Sequence, residues 1–68
     1  ISEINSQNSL NFLLKSASED SSSNVRKHSI LALNSFLKDQ RALWAIMWSA
    51  NNDSDFIVKQ TAKMLLVS

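Results

Sequence analysis

The stretch Asp20–Leu33, DSSSNVRKHSILAL, returns thirty-three residues later as Asp53–Leu66, DSDFIVKQTAKMLL. The opening Asp-Ser, the Val at the sixth place and the final Leu are identical in the two copies. Arg26 is matched by Lys59, Ser29 by Ala62 and Leu31 by Met64. Each copy begins in a cluster of Ser, Asn and Asp and continues as a run with helical apolar spacing. A polar turn and an amphipathic helix, twice, at one fixed interval, is the signature of a repeat architecture.

Working outward, the same register extends over the chain without a gap. It gives ten identities, of which four are Ser. The other six are Gln7/Gln40, Leu10/Leu43, Ala17/Ala50, Asp20/Asp53, Val25/Val58 and Leu33/Leu66. Conservative pairs add Leu13/Ile46 and Leu14/Met47. The segments ahead of each Asp, Ser9–Ala17 and Ala42–Ala50, are themselves helical in pattern. Four helices are expected, at about 7–18, 22–38, 40–51 and 55–67. Ser6, Ser22, Asp39 and Asp55 stand where an N-cap oxygen would accept from the first-turn N–H groups. In the second helix Val25, Ser29, Ala32, Leu33, Phe36 and Leu37 form the apolar face, with Lys27, Asn34 and Lys38 opposite.

Composition agrees. The 68 residues contain no Gly and no Pro, so the usual helix breakers are missing and an all-α chain is expected. There is no Cys either, which excludes disulfides and thiolate metal sites and leaves the redox compartment unread. A net charge of +1 argues against a strongly electrostatic nucleic-acid binder or a polybasic membrane patch. No apolar run reaches the roughly 18 residues of a membrane span.

A helix-turn-helix unit cannot bury its apolar face alone, so such units stack and share a core. The register places one repeat at 6–38 and a second at 39–68. Residues 1–5 then align with the end of a second helix, Ile4 facing Leu37. With Ile at position 1, the chain reads as a single segment, 1–68, excised from a longer α-α superhelix (solenoid).

The pattern Asp20-x4-Val25-Arg26-x2-Ser29-x2-Ala32-Leu33 resembles the second-helix signature of HEAT repeats, and Asp53-x4-Val58-Lys59-x2-Ala62-x2-Leu65-Leu66 resembles it again. The resemblance covers nearly the whole chain. It departs from the family in lacking Pro and in a period shorter than the usual 40 or so. Armadillo repeats are the neighbouring alternative, whereas tetratricopeptide and ankyrin repeats lean on Gly and Pro positions absent here. In HEAT repeats the turn Asp and the Arg form a hydrogen-bonded ladder between successive units. The resemblance assigns that role to Asp20, Arg26, Asp53 and Lys59, although Lys59 cannot reproduce a planar fork. Helix-end capping is an equal reading of Asp20 and Asp53.

The resemblance also implies a non-catalytic protein–protein interaction scaffold whose second helices line a concave face. The outward stripes of those helices are Lys27, Leu31, Asn34, Lys38 and Gln60, Met64, Val67. Leu31 and Met64 are apolar where solvated residues are expected, which suggests a contact site. The third helix carries Ala42-Leu43-Trp44-Ala45-Ile46-Met47-Trp48, apolar nearly all round. Trp44 and Trp48 share one stripe, and their counterparts Asn11 and Lys15 are polar. Burial in the core is one reading of this stripe. Contact with a partner, with the rest of the parent chain, or with a second copy is the other.

Catalysis is not expected. The one histidine, His28, adjoins Ser29 on a helix and cannot face it, and Gly-dependent nucleotide loops are excluded. No cofactor, metal or small-molecule substrate is implied. Two alternatives stand beside the scaffold reading. One is phosphate-backbone binding through Lys27 and Lys38, with Arg41 and Lys63 near. The other is a purely structural spacer.

Overall fold

In the computed structural model the backbone is described over residues 2–67 and side chains over 8–67. Four α-helices occur among these residues: α1 (Ser2–Glu19), α2 (Ser23–Leu33), α3 (Gln40–Asn52) and α4 (Phe56–Val67). A 3-10 turn at Asn34–Phe36 follows α2. No strand is present among the described residues.

The starts of α2, α3 and α4 each have a side-chain cause. Ser22 Oγ accepts from the Val25 N–H at 3.3 Å. Asp39 Oδ1 accepts from Arg41 N–H at 2.9 Å and begins α3. Asp55 Oδ1 accepts from both Ile57 and Val58, at 2.8 and 3.1 Å, and begins α4. All three occupy the capping positions expected from the sequence. Ser6 does not lie ahead of a helix, because α1 is already helical from Ser2. Its side chain, like that of Ile4 opposite Leu37, lies outside the described residues.

The turn inside each unit is built twice in the same way. Asp20 N–H bonds back to Ser16 O at 3.2 Å, and Asp53 N–H to Ser49 O at 3.2 Å. The carboxylate of each then accepts a backbone N–H two residues on: Ser22 to Asp20 at 2.9 Å, Asp55 to Asp53 at 2.8 Å. This is an Asx-type turn, in which a short side chain stands in for a backbone partner. It lets the chain reverse without a residue at positive φ, and none occurs among the described residues.

Such short turns make consecutive helices antiparallel neighbours. Accordingly α1 packs chiefly on α2 and α3 on α4, while α2 meets α4 and α1 meets α3 across the boundary between units. The Cα extents of 37 × 26 × 13 Å are those of a two-layer slab.

The core runs through that boundary. Leu10, Ala17, Ile30, Leu33, Ala42, Ile46, Ala50, Val58 and Ala62 are buried, with Leu13, Leu14, Phe36, Ala45 and Leu65 packed around them. Ser29 and Ala62, small residues at matched positions, are both buried. Their size lets helices approach closely.

Two expectations are corrected. The first helix pair does not place Val25 in the core: Val25 is 38% exposed, whereas its counterpart Val58 is fully buried. Val58 lies beside Ser23, Asn24 and Lys27 of the first unit, whereas Val25 is open to solvent. The buried face of α2 is Ser29, Ile30 and Leu33, rotated from the one expected, and Leu37 is exposed. The α2 segment also stops being α-helical at Leu33. The Asn34 N–H is shared between the carbonyls of Ile30 and Leu31, which tightens the backbone into the 3-10 turn. Asn34 and Ser35 are exposed weak helix formers, so little is lost when the wider spiral ends there.

Candidate functional site

Arg26 lies one turn into α2 and reaches across the unit boundary. Its Nε donates to Asp53 Oδ2 at 2.9 Å and its Nη2 to Asp53 Oδ1 at 3.1 Å. Nη1 donates to the Asp20 carbonyl oxygen at 2.8 Å. One guanidinium thus closes the first turn and clamps the second, a task for which Arg's planar fork is suited. Burial alone would push the Asp53 carboxyl up. The Arg26 hydrogen bonds, the Asp55 N–H and the charges of Arg26 and Lys59 outweigh it, so Asp53 titrates below the ordinary carboxylate range. Arg26 is shifted upward, first by its hydrogen bond to Asp53. Asp20 and Lys59 form no ion pair among the described residues. The Asp20 carboxylate serves its own turn.

A second ion pair holds the start of α3. Arg41 Nε and Nη2 donate to Asp39 at 3.1 and 2.9 Å, and Nη1 reaches Asn11 Oδ1 on α1 at 3.4 Å. The hydrogen bond from Arg41 lowers the Asp39 pKa and raises that of Arg41.

Next to this pair the outward side of α3 carries both tryptophans. Ala42, Ile46, Ser49 and Ala50 take the buried face, which turns Trp44, Met47 and Trp48 away from the core. Trp44 is 59% and Trp48 47% exposed. They border a groove of ≈ 400 Å³ between α1 and α3, completed by Leu14, Ser18, Arg41 and Ala45. The core reading of the stripe does not hold for this chain.

On the other layer Leu31 is 44% and Met64 67% exposed, at matched positions of α2 and α4. Lys27 is half-buried between the two helices, beside Ile57 and Asp55. Lys38 sits apart, at the corner between units, where it lines an open hollow with Leu10, Phe36 and Leu37. The stripe written as Lys27, Leu31, Asn34 and Lys38 is therefore interrupted by the 3-10 turn.

Sequence reading missed Phe56 and Ile57, both exposed in the first turn of α4. The signal was available. Their counterparts in the first unit are Ser23 and Asn24, the same polar-to-apolar change that singled out Trp44 and Trp48. It also missed the Arg41–Asp39–Asn11 arrangement, which depends on contact between helices.

No group of three or more His, Asp or Glu side chains able to hold a metal occurs among the described residues. No helix there is long and apolar enough to cross a membrane. Neither a curated protein nor a solved structure matches the chain. The family model for HEAT repeats does match it, over residues 1–66. With an all-α fold of paired helices and a match spanning almost every residue, the chain belongs to the HEAT-repeat family.

Proposed function

We propose that this chain is a non-catalytic protein-binding scaffold module that engages its partner through side chains its own fold leaves uncovered. HEAT repeats generally mediate protein–protein interaction, and that is the coarse basis of the reading. The observation that carries it is the pair Trp44 and Trp48, held half in solvent on a helix whose other side is locked in the core. Leaving each indole half in water forgoes about half of the roughly 150–250 Å² that an aromatic side chain can bury. Tryptophan is also the residue most enriched among interface anchors. Leu31 and Met64 offer a second uncovered patch on the opposite layer, flanked by Lys27.

Nucleic-acid binding has less support. Arg41 is neutralised by Asp39 and Arg26 by Asp53. The remaining lysines are dispersed rather than aligned along a phosphate track.

The test compares wild type with W44A/W48A and L31D/M64D in a pull-down from nuclease-treated extract, with circular dichroism on all three. A protein retained by the wild type and lost from one variant of unchanged helicity supports the scaffold reading. Equal recovery on all three overturns it in favour of a spacer. Sedimentation of the Trp variant separates a partner from a second copy: only self-association is lost with the indoles when no other protein is present.

A further inference from the structure

We propose that the face formed by α2 and α4 selects an acidic, apolar-anchored helix of a partner protein. The proposal rests on the protein-binding reading above and adds the chemistry of the partner. Its basis is the distribution of charge. Neither α2 nor α4 contains a single Asp or Glu. Of the six acids, Glu3 and Glu19 belong to α1, Asp20, Asp53 and Asp55 stand in the turns, and Asp39 lies between the units.

Along the outer side of α4, Ile57, Gln60, Met64 and Val67 follow one another at helical spacing and are all exposed. The matched row is Asn24, Lys27 and Leu31 on α2, with Asn34 at the start of the 3-10 turn. Adjacent packed helices lie about 8–10 Å apart, so the two rows form one surface. Three exposed apolar side chains, Ile57, Met64 and Val67, run down one edge with Leu31 beside them. Lys27 stands on the Ile57 side, next to that residue. Lys63 occupies the outer flank of α4 and is exposed.

The apolar row of Ile57, Met64 and Val67 runs the length of α4, an edge along which the apolar face of an amphipathic helix can lie. Twelve residues of α4 at about 1.5 Å each give room for about three turns of such a helix. Lys27 and Lys63 face that partner with no carboxylate on either helix, Asp55 standing beside Lys27 at the cap of α4. The partner therefore gains from Glu or Asp beside its apolar anchors, most of all near Lys63, and loses from Lys or Arg. A phosphate backbone would meet four large apolar side chains in place of a line of cations. A lipid surface would have to desolvate Asn24, Asn34 and Gln60 in the same rows.

The experiment selects a displayed library of random 16-residue peptides on the full chain. The recovered pool is then measured by anisotropy against wild type, L31D/M64D, K27E/K63E and W44A/W48A. The expected pool has net negative charge and apolar residues at helical spacing. Its affinity should fall at least tenfold in L31D/M64D and in K27E/K63E, and less than threefold in W44A/W48A. A neutral or basic pool overturns the proposal, as does an empty one. A pool lost only with W44A/W48A also overturns it, while leaving the protein-binding reading intact. Sedimentation with phosphatidylserine–phosphatidylcholine vesicles is the last arm: binding lost in L31D/M64D would assign the face to an anionic membrane and overturn the proposal.

Discussion

Arg26 and Asp53, 27 residues apart, share two hydrogen bonds across the boundary between the units, and both side chains are largely withdrawn from water. The carboxylate also holds the turn into α4 through the Asp55 N–H. One pair therefore ties inter-unit packing to the local geometry that starts the last helix.

Removing one member of the pair should cost more than removing both. R26A leaves the Asp53 carboxylate buried and unpaired, at a cost of about 2–3 kcal/mol. R26K keeps the charge but loses the fork and should cost about 1 kcal/mol. Urea unfolding of R26A, D53N and the double variant gives the coupling. A coupling near zero would mean that the fork contributes nothing beyond packing.

Acid should weaken the fold through the same residue. The folded-state pKa of Asp53 is depressed. Its stabilisation is therefore complete above the ordinary carboxylate pKa and is lost as pH falls through the depressed value. Asp39 shifts in the same direction, but about a third of its side chain faces water and its partner Arg41 is half exposed, so it adds little. Thermal unfolding should show a plateau above about pH 5 and a decline below about pH 4. The decline should be shallower in D53N, measured against its own plateau.

Ser49 is fully buried, and its Oγ has no hydrogen-bond partner among the described residues. An unpaired buried hydroxyl costs free energy that a methyl group does not. S49A should be neutral or raise stability by about 1 kcal/mol, read from the urea midpoint. A loss above about 1 kcal/mol would mean that the hydroxyl is bonded in solution.

Ile46 is fully buried at the centre of α3. I46A should cost about 3 kcal/mol from lost burial and the cavity left behind. For 68 residues the whole stability is on the order of 3–10 kcal/mol. I46A should therefore be partly unfolded at room temperature by circular dichroism, whereas W44A/W48A keeps its helical signal.

What the sequence disclosed, and what it did not, divides along one physical line. The caps at Ser22, Asp39 and Asp55 and the repeated Asp turn depend on neighbours a few residues away, so residue type and spacing sufficed. Burial depends on what lies across the boundary. Val25 and Val58 are identical in type and register, yet only Val58 has a unit packed against it. The Trp stripe was ambiguous for the same reason, since an apolar helix surface reads alike whether covered or bare. The end of α2 differs from the expected one because Asn34 and Ser35, exposed weak helix formers, do little to carry the helix past Leu33.

The arrangement of contacts has a kinetic consequence. Within each unit the packed helices are joined by a three-residue turn, so each hairpin closes at small entropic cost. The α2–α4 seam joins segments about one period apart and is the later, more costly step. Nearest-neighbour systems of this kind loosen piece by piece rather than all at once. Amide protons of α2 and α3, the two inner members in chain order, should thus exchange most slowly, and those of α1 and α4 earlier. The clamp at Arg26 then acts less as a brace than as a latch, setting how often one hairpin opens without the other.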